Sequence, residues 1–158
     1  MSTWNGMSDN EPGSLAPLSL ESLQEQLGFN LRLAYAAANR DFNERLAALN
    51  LTQRQCIALQ LIAANSGVSQ IDIAEALGID RSSMMTIAEE LNSRKLIVRR
   101  RSKRDRRKQE LRLTAGGEDA LKRILRLVRE HDACLAASLS RREIDVFVAN
   151  LRKIHRRF

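Results

Sequence analysis

A mainly α-helical fold carrying one small β-hairpin is what this sequence predicts, and three observations predict it. Apolar residues recur at spacings of three and four through most of the 158 residues, the period of helices that bury one stripe. Two short helical patterns meet at Leu77-Gly78-Ile79-Asp80, the pattern of a helix-turn-helix. Directly after them, Leu96-Ile97-Val98 and Leu111-Arg112-Leu113 flank a link, Ser102–Gln109, that is too charged to bury and must project as a hairpin tip. The expected organisation is an arm over 1–18, a long helix within 19–50, a helix-turn-helix domain with its hairpin over 51–114 and long helices over 115–158.

Residues 1–18 are rich in Ser, Asn, Gly and Pro, lack Lys and Arg, and read as a mobile arm or as a strap that Trp4 anchors on a partner. Leu20, Leu23, Leu27, Leu31, Ala34, Ala38, Phe42 and Leu49 predict a long amphipathic helix from Leu20 to about Leu49. Thr52-Gln53-Arg54-Gln55 is a capping box, in which the hydroxyl and the Gln amide satisfy free N–H groups at a helix start. Cys56, Leu59, Ile62 and Ala63 are the expected buried face of that helix, which Asn65-Ser66-Gly67 ends. Ser69 to Asp72 opens the next helix, with Ile73, Ala74 and Leu77 inward, and Gly78 stops it. Asp80 caps the following one, whose core face is Met84, Ile87, Ala88 and Leu91. After the hairpin, Thr114 caps a long helix striped by Leu121, Ile124, Leu125, Val128 and Leu135. A second capping box, Ser140 to Glu143, opens the last, with Ile144, Phe147, Val148, Leu151 and Ile154. The first and last helices present more apolar surface than a small helix-turn-helix domain can cover, which implies a second copy of the chain packed on them.

Charge locates the chemistry. Arg94 to Arg112 hold eleven Lys and Arg against Asp105 and Glu110, a net of +9, whereas the whole chain carries only +7. Such a local concentration beside a helix-turn-helix is the footprint of a nucleic-acid reader. Aromatics at 4% argue against a single-strand binder that stacks bases on aromatic platforms. The deep, narrow major groove of duplex RNA would exclude the helix. A protein-binding module of this shape has no use for a +9 hairpin. Enzyme signatures are missing: there is no Gly-rich phosphate loop and no nucleophile elbow. His131 and His155 lack ligand spacing and read as solvated helix histidines. Cys56 and Cys134 form neither a CxxC pair nor a disulfide framework. No cofactor and no metal are expected. No apolar run approaches the roughly 20 residues that span a bilayer, and a cytoplasmic, nucleoid-associated protein without membrane contact is expected.

Over Leu20 to Phe158 the chain resembles the MarR family of bacterial transcription regulators. The residues that carry the resemblance are Leu51-Thr52 with Gln55, the run from Ile73 to Ser83, Leu96-Ile97-Val98-Arg99, the triplet Asp105-Arg106-Arg107, and Leu113-Thr114 with Gly117. The resemblance implies a winged helix-turn-helix flanked by dimerisation helices. Met84, Met85, Thr86 and the acidic pair Glu89-Glu90 depart from the common recognition helix, and Lys95 stands where the family commonly has Gly.

Duplex DNA is then the expected partner, bound by a homodimer. The start of the helix after Asp80 enters the major groove. Arg81 either reads guanine or clamps a phosphate. Ser82 and Ser83 either contact DNA or cap the helix, and Met85 and Thr86 offer methyl groups to thymine. The resemblance points to Arg107 as the wing residue inserted into the minor groove, with Asp105 holding it or a neighbour. Lys103, Arg104, Arg106 and Lys108 neutralise phosphates. The resemblance further implies an effector, a small aromatic or anionic molecule, for which Tyr35, Gln53 and Cys56 are candidate contacts. Release on such an effector, and repression by occupying a promoter, are the expected behaviour. The alternative is a thiol-based redox sensor of the same fold using Cys56, on an apolar face with Arg54 as its nearest cation in sequence.

Overall fold

The computed structural model describes residues 20–65, 67–101 and 109–157. Seven helices and two strands occupy them in the order α1 (Glu21–Gln24), α2 (Leu27–Ala47), α3 (Gln53–Ala64), α4 (Gln70–Leu77), α5 (Arg81–Ser93), β1 (Ile97–Arg101), β2 (Gln109–Leu113), α6 (Ala115–Leu135) and α7 (Arg141–His155). The chain divides into two compact units with the boundary between Tyr35 and Ala36. The arm expected over 1–18 lies outside the described residues.

In the first unit the single helix expected from Leu20 is broken at Glu25-Gln26. Asn30 explains the break: its side-chain amide donates to the carbonyl of Gln24 (2.7 Å), which a continuous helix would have paired through the backbone, and also to that of Gln26 (2.9 Å), which its own backbone N–H already reaches.

The second unit holds the core. Its helices start as their caps require. Thr52, Ser69 and Ser140 form complete capping boxes with Gln55, Asp72 and Glu143, and Asp80 and Thr114 accept from Ser83 and Gly117. Leu46, Leu51, Cys56, Leu59, Ile73, Met84, Leu91, Ile97, Leu111 and Ile124 are buried together, so α3, α4, α5, the hairpin and the middle of α6 share one core. Each fully buried aliphatic side chain contributes about 1.5–3 kcal/mol. Ala63, expected inside, is exposed, because α3 is covered on only one side and its last turn stands clear.

Helices α4 and α5 end alike. The N–H of Ile79 reaches back to Ala74 O while that of Gly78 reaches Glu75 O; Leu96 and Lys95 do the same to Leu91 O and Asn92 O. Each closure needs a left-handed residue, supplied by Gly78 at φ 62° and by Lys95 at φ 58°. The second closure explains why β1 starts at Ile97 and not at Leu96, whose N–H is spent on α5. The side-chain-bearing residue is strained there, so Lys95→Gly is expected to raise stability by about 1 kcal/mol, part of the relief being offset by glycine's freedom in the unfolded chain. A thermal melt of the two proteins checks this.

Strands β1 and β2 pair antiparallel with Ile97 opposite Leu113 and Arg101 opposite Gln109. The N–H of Leu111 donates to Val68 O at 2.9 Å, tying the hairpin base to the turn before α4.

Candidate nucleic-acid interface

Helix α5 is two-faced. Met84, Ile87, Ala88 and Leu91 are buried, whereas Arg81, Ser82, Met85, Thr86 and Glu89 are exposed and Ser83 is half-buried. The adjacent methionines therefore separate, Met84 wholly inside and Met85 48% exposed. All five residues singled out on this helix thus sit at or beside its accessible face.

The serines do more for the helix than their residue type discloses. Ser82 Oγ and Ser83 Oγ donate to the two carboxylate oxygens of Asp80 at 2.5 and 2.6 Å, and Ser83 N–H adds a third bond at 2.8 Å. These donors, Ser82's hydroxyl first, hold the Asp80 carboxyl far below its usual pKa. Of the two roles left open for the serines, buttressing the cap uses their protons in this arrangement, and their oxygens remain as acceptors. Thr86 Oγ1 likewise donates to Ser82 O at 3.2 Å.

The far end of α5 is anchored by groups that sequence reasoning missed. Arg94 donates to Asn50 O (2.5 Å) and Leu49 O (3.0 Å), carbonyls just past the end of α2. Gln55, which closes the α3 capping box through its oxygen, donates from its nitrogen to Glu90 at 2.5 Å. Thr114 Oγ1 donates to Lys95 O (2.5 Å), so the cap of α6 also grips the end of α5. A cleft of about 420 Å³ lies between these anchors, lined by Asn43, Asn50, Thr52, Gln55, Glu90 and Arg94. The capping-box spacing flagged Gln55 as a local residue; nothing local flags its partner 35 positions away.

The hairpin brings Arg99, Arg100, Arg101 and Arg112 to the surface beside the helix-turn-helix, with Arg112 paired to Glu110 at 3.1 Å. Lys103, Arg104, Asp105, Arg106, Arg107 and Lys108, the expected wing tip, lie outside the described residues.

Among the effector candidates, Tyr35 is 66% exposed in the first unit. In the second, Gln53 donates to Asn39 on α2 at 2.7 Å. Cys56 is wholly buried, and that burial pushes its thiol up to about 11, against a smaller opposing effect of Arg94, not of Arg54 as its sequence neighbourhood suggested. A thiol so raised supplies little thiolate at neutral pH. Cys134 is exposed.

His131 departs from expectation: it is buried, not solvated. Its Nδ1 lies 2.6 Å from Asp41 on α2, its ring packs on Phe42 at 4.9 Å, and Asp41 also accepts from Arg45 at 2.7 and 3.0 Å. Arg45 first, then His131, lowers the Asp41 carboxyl to about 2. The reason is tertiary, since α2 and α6 meet across 90 residues of sequence. Among the described residues no group of His, Cys, Asp and Glu could hold a metal ion, and no helix is long and apolar enough to cross a membrane.

Known proteins share this arrangement. The sequence model of the MarR family matches residues 49–108. A Thauera aromatica protein named for transcriptional regulation of the hcr operon is 36% identical over 143 residues, spanning 90% of this chain and 86% of its own length. The transcriptional repressor CouR bound to a 23-mer DNA duplex superposes with a TM-score of 0.83 at 35% identity, covering 89% of this chain and 99% of CouR. The same repressor bound to p-coumaroyl-CoA gives a TM-score of 0.78 at 34% identity over the same shares of the two chains. A winged helix-turn-helix fold, a matched reading domain and full-length relatives that regulate transcription converge: this chain belongs to the MarR family of DNA-binding transcriptional regulators and is not an enzyme.

Proposed function

We propose that the protein is a homodimeric repressor that binds a pseudo-palindromic duplex site and is released by a small aromatic or anionic effector. The observation that supports it best is the pairing of an outward α5 face with a basic hairpin whose base is bonded to the same helix-turn-helix. In this reading residues 51–114 read DNA, 19–50 and 115–158 assemble the dimer, and 1–18 form an arm. Arg81 takes guanine or phosphate, Met85 and Thr86 meet thymine methyls, and the oxygens of Ser82 and Ser83 line the groove entrance. Arg107 enters the flanking minor groove, Asp105 holds it or a neighbouring arginine in place, and Lys103, Arg104, Arg106 and Lys108 neutralise phosphates. Half-sites lie about one turn, roughly 10 bp, apart.

Helix α7 supports the dimer: not one of its residues is buried, although Ile144, Phe147, Val148 and Leu151 stripe one side. A helix of 15 residues gains little stability alone, so a second copy is the natural cover for that stripe. CouR has been seen with DNA and with p-coumaroyl-CoA, and an aromatic or anionic effector of the present protein is proposed on that likeness. Tyr35, Gln53 and Cys56 are its proposed contacts. Such a ligand releases DNA only through its unequal affinity for two arrangements of the dimer. The protein is placed in the cytoplasm, with the nucleoid.

Arg107→Ala is expected to weaken duplex binding at least roughly tenfold without unfolding the dimer, and wild-type affinity should fall steeply with salt. Fluorescence-polarisation titrations at several salt concentrations read both. Unchanged affinity on Arg107→Ala removes the wing from this account, and salt-independent binding removes DNA as the partner.

A further inference from the structure

Glu89 and Glu90 are indistinguishable in the sequence, and the structure separates them. Glu90 is drawn aside to Gln55, which donates to it at 2.5 Å. Both are exposed, but Glu89 is the one that shares the line of Ser82, Met85 and Thr86 along α5. With about 3.6 residues per turn, Ser82, Met85, Thr86 and Glu89 lie on the side opposite the buried Met84, Ala88 and Leu91. Glu89 is therefore in the middle of the face that would meet the major groove, about 12 Å along the axis from Arg81.

A carboxylate in that place opposes everything else about the surface. The neighbouring hairpin is strongly cationic, and a negative charge near phosphates costs affinity. It is favourable only against a hydrogen-bond donor. In the major groove the bases offer two, the N4 amine of cytosine and the N6 amine of adenine, while guanine and thymine present acceptors. Adenine sets its amine beside the N7 acceptor, which repels a carboxylate. Cytosine has no acceptor beside N4 on its own groove edge. We propose that Glu89 is a specificity-determining residue that accepts from the N4 amine of a cytosine in each half-site and disfavours guanine and thymine there by repulsion. The inference rests on α5 being the DNA-reading helix.

The test is selection of bound duplexes from a randomised pool by the full-length wild-type protein, Glu89→Gln and Glu89→Ala. Wild type should select cytosine at one position of each half-site. Glu89→Gln should turn that position towards adenine, which a Gln amide pairs through N6 and N7, and Glu89→Ala should relax it, both leaving the other positions unchanged. Glu89 is exposed, so neither substitution removes a packed group, and a matching thermal melt confirms it. A further measurement needs no variant: replacing that C·G pair by T·A should weaken wild-type binding about tenfold. Tighter binding of Glu89→Ala with an unchanged base preference overturns the proposal, leaving only phosphate repulsion. Selection of no duplex by wild type overturns the DNA-reading role itself, and the inference with it.

Discussion

Gly117→Ala is expected to destabilise the fold by about 3 kcal/mol, at the upper end of what one overpacked methyl costs. Gly117 is buried in the first turn of α6. A Cβ built there meets the carbonyl oxygen and carbon of Leu96, and both are backbone atoms, which cannot swing away as a side chain would. Around that contact Thr114 N–H donates to Leu96 O, Thr114 Oγ1 donates to Lys95 O, and Gly117 N–H donates to Thr114 Oγ1. The methyl therefore forces α6 away from the end of α5 and breaks bonds on both sides of the junction. For a protein of this size the melting temperature should fall by roughly 6–12 °C. Since the same junction joins the proposed reading helix to a proposed dimer helix, DNA affinity should fall even below the melt. A thermal melt and a duplex titration test this together. A variant as stable as wild type would show that α6 leaves room for a methyl group beside the Leu96 carbonyl.

Phe147→Glu is expected to convert a dimer into a monomer and to weaken duplex binding by roughly 100-fold or more, the range over which joining two binding modules raises affinity. Val146, Phe147 and Val148 are 54%, 51% and 37% exposed on a helix with no buried residue. A cleft of about 540 Å³ between α7 and the end of α6, lined by Leu135, Leu139, Ile144, Phe147 and Leu151 among others, continues the same apolar surface. A charge in its centre costs nothing in an isolated chain and a great deal against an apolar partner. Light scattering should give the 17.9 kDa mass of one chain for the variant and twice that for wild type. Secondary structure elsewhere should persist, since the core of α3, α4, α5 and the hairpin does not include α7. A variant that stays dimeric places the interface elsewhere.

Much of this architecture was legible because it is written in short-range chemistry. A hydroxyl or carboxylate three residues before the N–H it accepts sets each cap, and Thr52, Ser69, Asp80, Thr114 and Ser140 all do what their spacing announces. The buried face of α5 follows from apolar spacings of three and four residues. The resemblance at Thr114 and Gly117 acquires its physical reason only with the close approach to Leu96. What spacing could not show was every choice made between elements. Two glutamates with the same chemistry part because Gln55 stands beside one of them. His131 is buried because Asp41 and Phe42 arrive from another helix. The break at Glu25-Gln26 depends on which carbonyls one Asn side chain reaches.

By itself, then, the sequence determined that this is a helical reader with a cationic hairpin, since caps, periods and local charge act within a few residues of chain. Only the tertiary structure decided which of the two adjacent acids on α5 is held by another helix, what anchors α5 at its far end, and that His131 is buried. Those outcomes depend on contacts between residues 35 to 90 positions apart, and no local pattern encodes which distant group will be there to meet them.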